Sequence, residues 1–217
     1  MKLINLGSTN SVLNYFMSQI RDKGTQKDNL RFRKNLERIG EIFAYEVSKT
    51  LNYENKEIIT PLGISTIPLS PDNIVLATIL RAGLPLHQGL LNYFDTAQNS
   101  FITAYRKHSK GKEFKVIIEY VNSPDINDKV LILADTMLAT GISLEETYKR
   151  LLEYGTPSHT HFVCPLASIY AIEHLQKNLP SDNITLWVAA IDEELTSQSY
   201  IVPGLGDAGD LAYGKKK

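Results

Sequence analysis

Four short apolar runs set the strongest limit on what this chain can become: IVLATIL (74–80), KVLILAD (129–135), HTHFVCPL (159–166) and NITLWVAA (183–190). Each is apolar at consecutive positions instead of alternate ones, the pattern of a strand buried on both faces. Helical segments fall between them, near 143–154 and 168–178. Strands alternating with helices predict an α/β fold with a parallel sheet covered on both sides. The chain has 217 residues, enough to bury roughly 70% of the surface its unfolded form exposes. No repeat, low-complexity block or linker divides it, so one domain spanning 1–217 is expected.

Leu36, Ile39, Phe43 and Val47 recur at helical spacing and predict a long amphipathic helix near 28–51, after a shorter one around Ser11 to Arg21. The segment FITAYRKHSKGKEFKVIIEYVNSPDIND, about 101–128, differs: two β-rich runs flank a basic tip containing Arg106, Lys107, Lys110 and Lys112. It predicts an extended β-arm.

Lys plus Arg number 23 and Asp plus Glu 24, giving a formal charge of −1. No global basic field draws in nucleic acid, so any anion site has to be local. The N-terminus lacks an apolar signal core, and no window approaches ~18 continuous apolar residues. No membrane association and a cytoplasmic location are expected. Cys164 is the only cysteine, which excludes an intrachain disulfide and a cysteine-cluster metal site; it is expected to fill a buried strand. His159 and His161 share one strand face, but no third metal ligand stands out. With His87, His108 and His174 they read as structural or solvent-facing.

Asp135 ends an apolar strand, where ligands of open α/β sheets bind. The residues after it, Thr136, Met137, Leu138, Ala139, Thr140, Gly141, Ile142 and Ser143, pass from apolar to small and hydroxylic, and a helix follows. Small residues let backbone N–H groups approach a phosphate, and a helix N-terminus adds partial positive charge. Ser143 also opens an S-x-x-E capping box, so its hydroxyl suits either the helix or the phosphate. A carboxylate repels bare phosphate but accepts hydrogen bonds from sugar hydroxyls. The pattern asks for a phosphorylated sugar.

LILADTMLATGIS resembles the 5-phosphoribosyl-1-pyrophosphate (PRPP) motif of the type I phosphoribosyltransferases, in the uracil branch that keeps a single acid at the strand end. Thr136 and Ile142 stand where that branch has proline and a second glycine. A β-branched residue resists positive φ, so either this loop turns without glycine's freedom at 142 or the phosphate sits differently. Near the C-terminus, Gly204-x-Gly206-x-x-Gly209 satisfies a dinucleotide fingerprint in spacing alone, since Pro203 precedes it and few residues follow. YIVPGLGDAGD instead resembles the uracil-recognition segment, about 199–214, of the uracil branch.

The resemblance implies a type I phosphoribosyltransferase fold with N-terminal helices and a β-arm, and transfer of a 5-phosphoribosyl group from PRPP to uracil. It assigns Asp135 to Ser143 to PRPP, with Arg81 of ILRAG and Arg106 of AYRKH on the pyrophosphate. Ile201, Gly206, Asp207 and Ala208 fall on the uracil side, Asp207 also facing PRPP or its metal. Asp135, Arg81 and Asp207 become the expected catalytic residues. Mg²⁺ held largely by PRPP and a homo-oligomer, dimer or higher, are implied as well. An RNA-binding regulator of the same fold is the alternative from another class, and the balanced charge weighs against it.

Overall fold

The computed structural model describes all residues except 71–72, 109–113, 180 and 217, with backbone alone for 105–108 and 114–115. The chain opens with strand β1 (Lys2–Asn5), helix α1 (Val12–Arg21) and helix α2 (Asn29–Ser48). Ser11 caps α1 by accepting from the Leu13 N–H at 3.2 Å, and Asp28 caps α2 through the Arg31 N–H at 3.0 Å. Strands β2 (Glu54–Thr60) and β3 (Gly63–Leu69) then form a separate antiparallel hairpin.

The mixed α/β body follows: β4 (Ile74–Leu80), α3 (Gly83–Leu91), β5 (Gln98–His108), β6 (Phe114–Asn122), β7 (Val130–Ala134), β8 (Met137–Leu138), α4 (Ile142–Leu151), β9 (His159–Ser168), α5 (Ile169–Asn178) and β10 (Ile184–Asp192). A short pair, β11 (Glu194–Leu195) and β12 (Ile201–Val202), leads into α6 (Ala208–Tyr213). The predicted strands and the two N-terminal helices are present. β1, the β2–β3 hairpin and α3 are additions that the sequence reading missed. GLPLHQGLL hides α3 because it has two glycines, a proline and no side-chain cap. Pro85 is tolerated because it lies in the first turn, where a backbone N–H has no helical partner.

Strand order in the central sheet is β1-β10-β9-β7-β4-β5-β6, with β8 also paired to β9. All of its pairings are parallel except β5 with β6. The predicted arm is therefore an outgrowth of the sheet edge: β5 pairs with β4 over Gln98–Thr103 and with β6 from Phe101 onward, bulging between Thr103 and Ala104. The tip bearing Lys110 and Lys112 lies outside the described residues.

Each sheet face buries its own cluster. Leu131 and Leu133 pack with Leu144, Tyr148 and Leu175 of α4 and α5. Ile132 and Ala134, one residue out of phase, pack with Leu36, Phe43 and Leu86 of α2 and α3. Alternation along the strand thus feeds two helical layers. Cys164 is fully buried, as expected, and burial raises its thiol pKa. Among the described residues no helix is long and apolar enough to cross a membrane.

Trp187, the only tryptophan, donates its indole N–H to His161 Nδ1 at 3.0 Å inside this body. Burial, with a smaller contribution from neighbouring His159, lowers the His161 pKa from 6.5 to about 3. Burial also lowers His159, and it lowers His87 against the opposing effect of its Asn99 contact. A depressed folded-state pKa means the unfolded chain takes up protons first, so stability is complete above pH 6.5 and lost on acidification toward pH 3. Urea unfolding followed by Trp187 fluorescence is expected to show a loss attributable to His161 of about 2–3 kcal/mol between about pH 7 and about pH 4.5. His161→Phe should remove that share of the pH dependence while lowering stability at pH 7 by stranding the indole N–H; an unchanged slope would refute the assignment.

Candidate active site

A cavity of about 800 Å³ opens beyond the carboxyl ends of β4 and β7. From β4 the chain passes outward to β5, whereas β7, β9 and β10 continue on the other side, so these neighbours straddle the point where strand order reverses. Loops leaving the two strands diverge there and leave a crevice. Arg81 enters it just after β4, and Asp135 just after β7.

The loop after β7 is held by the sheet at its start. The Asp135 N–H donates to the Val163 carbonyl at 3.1 Å, and β8 pairs with β9 through Met137↔Leu166 and Leu138↔Ala167. Asp135 Oδ1 accepts from the Thr136 N–H at 2.7 Å, which orients the carboxylate. The reversal comes at Gly141, with φ +79°, and α4 begins at Ile142.

This overturns the capping-box alternative. Gly141 occupies the N-cap, Ser143 is the second helical residue, and Glu146 pairs with Lys149 at 3.2 Å. The Ser143 hydroxyl, freed from capping, lines the cavity beside the first turn of α4. The loop turns without glycine's freedom at 142, because the left-handed residue is its neighbour Gly141 and Ile142 itself is helical. Asp135 to Gly141 and Ser143 line the cavity; Ile142 does not.

Arg81, joined to Leu80 by a cis peptide bond, extends its guanidinium toward the C-terminal segment. Nη2 lies 3.3 Å from Asp210 Oδ1, and Nη1 donates to the Gly214 carbonyl at 3.4 Å. Nε is buried without a hydrogen-bond partner among the described residues. The Asp210 pair is part-exposed, and such pairs contribute only about 0–1 kcal/mol. A polyanion in the cavity can therefore draw the guanidinium away at little cost. Arg106 lies in β5 opposite Val116, with its side chain outside the described residues; Ala104, two residues earlier, lines the cavity.

Opposite the phosphate loop stands the glycine-rich turn. β12 pairs antiparallel with β11, and α6 has only six residues, so no parallel crossover surrounds the glycines and the dinucleotide reading is excluded. Gly206, at φ +94°, presents backbone without side-chain cover. Asp207 caps α6 by accepting from the Asp210 N–H at 2.9 Å, and it lines the cavity with Gly206 and Ala208. Ile201 packs its apolar side chain into the core beside Leu205 and Ala208 and is absent from the cavity lining, which leaves only its backbone for the contact that the resemblance implies. Ser199, Tyr200 and Lys216 also line the cavity. Tyr200 opens the recognised C-terminal segment, but nothing in residue type singles out the other two. Among the described residues no group of three or more His, Cys, Asp or Glu is placed to hold a metal.

The family model for uracil phosphoribosyltransferase matches residues 8–215. A uracil phosphoribosyltransferase of Porphyromonas gingivalis is 52% identical over 216 residues, covering 100% of both chains. One of Pyrococcus furiosus is 36% identical over 202 residues, covering 92% of this chain and 84% of that one. Among solved structures, the AQ2163 protein of Aquifex aeolicus matches with a TM-score of 0.87 at 27% identity, covering 98% of each chain. Matched along almost its whole length, the chain belongs to the uracil phosphoribosyltransferase family.

Proposed function

We propose that the chain transfers the 5-phosphoribosyl group of PRPP to N1 of uracil, giving UMP and pyrophosphate in pyrimidine salvage. The observation that carries this reading is the meeting of two segments across one cavity: the acid-led loop from Asp135 to Ser143 and the bare backbone of 206–208. An open helix N-terminus with two hydroxyls suits the 5-phosphate, Thr140 and Ser143 supplying the hydroxyls. Asp135 accepts from the ribose hydroxyls. Gly206, Asp207 and Ala208 read the edge of uracil through main-chain groups; for Ile201 only a backbone contact fits its buried side chain.

Bond breaking between the anomeric carbon and the pyrophosphate oxygen leaves an oxocarbenium-like sugar, to which N1 of uracil bonds as its N1 proton passes to the departing pyrophosphate or to water. The protein's work is then positioning and charge stabilisation, without a protein nucleophile. Arg81 trades its weak contact with Asp210 for the departing pyrophosphate, assisted by Arg106. Asp135 and Asp207, both on the cavity, would hold Mg²⁺ together with substrate oxygens, and the ion would supply charge neutralisation for the leaving group. A cytoplasmic setting belongs to the same proposal.

A homo-oligomer belongs to it too, and the β2–β3 hairpin supports this. Every residue of its strands except Ser65 is exposed. Ile59 is 88% exposed, Leu62 100% and Ile64 69%. Covering three such side chains on each of two copies is worth up to roughly 9–18 kcal/mol, at about 1.5–3 kcal/mol apiece, against an association cost of ~4–15 kcal/mol.

Incubation with PRPP, Mg²⁺ and uracil is expected to release UMP, and cytosine, hypoxanthine and orotate should serve poorly; no turnover of uracil sinks the proposal. Asp135→Asn should leave the melting temperature unchanged and lower kcat/KM about 10–100-fold, the scale of a hydrogen bond to a charged group. Ala208→Val is expected to raise the uracil KM about tenfold with PRPP affinity nearly intact, and equal loss of both would contradict separate subsites. For assembly, Leu62→Glu combined with Ile64→Glu should lower the mass in sedimentation equilibrium to that of a monomer; a mass identical to the wild type would remove the hairpin from the interface.

A further inference from the structure

Resting on the phosphoribosyl reading, we propose that α5 is the seat of the phosphate loop, and that Ser168 and His174 are positioning residues for the sugar-phosphate subsite. Neither residue lines the cavity. Each holds the loop from behind.

Ser168 is fully buried at the junction of β9 and α5. Its hydroxyl accepts from the Ala171 N–H at 3.0 Å and donates to the Ala139 carbonyl at 2.6 Å. The first contact is an ordinary helix cap. The second is not needed for capping, and its acceptor lies in the loop assigned to the phosphate. One hydroxyl therefore ties the height of that loop to the first turn of α5.

The second clasp lies beyond the turn. Glu145 stands in the first turn of α4 and is only 6% exposed. Oε2 is 2.5 Å from His174 Nε2, Oε1 is 2.7 Å from Lys149 Nζ, and Asn178 Nδ2 donates to Oε2 at 3.3 Å. Burial pushes the Glu145 carboxyl up, but hydrogen bonds from Lys149 and His174 outweigh it and hold the pKa below its ordinary value. An ionised carboxylate in that turn competes with a bound phosphate for the same helix end. Its partners turn the charge toward α5 and away from the cavity.

Between the clasps, Gly141 is pressed against the same helix. A Cβ at 141 would fall 3.1 Å from the Ala171 carbonyl oxygen, 3.2 Å from His174 Cδ2 and 3.3 Å from Leu175 Cγ. The left-handed turn thus has α5 on its outer side, the Ser168 anchor before it and the Glu145–His174 contact after it. Loss of either clasp frees the loop to shift without removing any group that touches substrate.

Calorimetric titration with ribose 5-phosphate tests this apart from turnover. The wild type should bind, and failure to do so would overturn the phosphoribosyl reading itself. Ser168→Ala and His174→Phe should each weaken ribose 5-phosphate about tenfold, the scale of one buried hydrogen bond. The PRPP KM should rise in parallel, with kcat and the uracil KM within about twofold. His174→Gln, which keeps a donor toward Glu145, should recover most of the affinity. Variants that bind ribose 5-phosphate as the wild type does would overturn the inference, as would losses in kcat at unchanged KM. Should Ser168→Ala fail to fold, the two His174 variants decide alone.

Discussion

A parallel sheet buried on both faces leaves little room for polar side chains along its strands, and this constraint organises the molecule. Its polar chemistry is driven to the strand ends. Where β4 and β7 lie side by side while the chain runs off in opposite directions, the departing loops diverge, and the cavity follows from topology before any side chain is considered. Arg81 and Asp135 matter because each is the first polar group after an apolar run that ends there.

Two turns shape the cavity walls. Gly141 and Gly206 each supply a positive-φ turn to the cavity, and the N-terminus of α4 lies beside it. Such groups are fixed by the fold, so they need little reorganisation when charge develops on a ligand. Their placement depends on partners outside the cavity: β9 strand pairing under residues 137–138, and Asp207 capping the helix that follows the second turn.

The body of this arrangement was legible in the sequence because the signals were long and redundant. Runs such as LILA and FVC could only be buried strands, and the spacing of Leu36, Ile39, Phe43 and Val47 had one helical reading. What escaped was short or contradicted by local propensity. β1 has four residues and exists by pairing with β10, a partner some 180 positions away. Helix α3 carries glycines and a proline that argue against it, and its burial against α2 overrides them. In the site, the chemical types were readable but the side-chain directions were not: Ile201 lies in the right segment and packs inward, while Ser143 looked like a cap until Gly141 took that position. Ser168 gave no sign at all, since a buried serine at a strand end reads as an ordinary helix cap.

The position of the left-handed turn bears on how much change this loop can absorb. Because Gly141 alone carries the positive φ, the next position asks only for helical backbone and a side chain that stays out of the cavity. Residue 142 is thus a place of latitude inside a motif that looks rigid on paper. A lineage can lose glycine there and keep the shape of the cradle, whereas the same loss one residue earlier would drive a methyl group into α5.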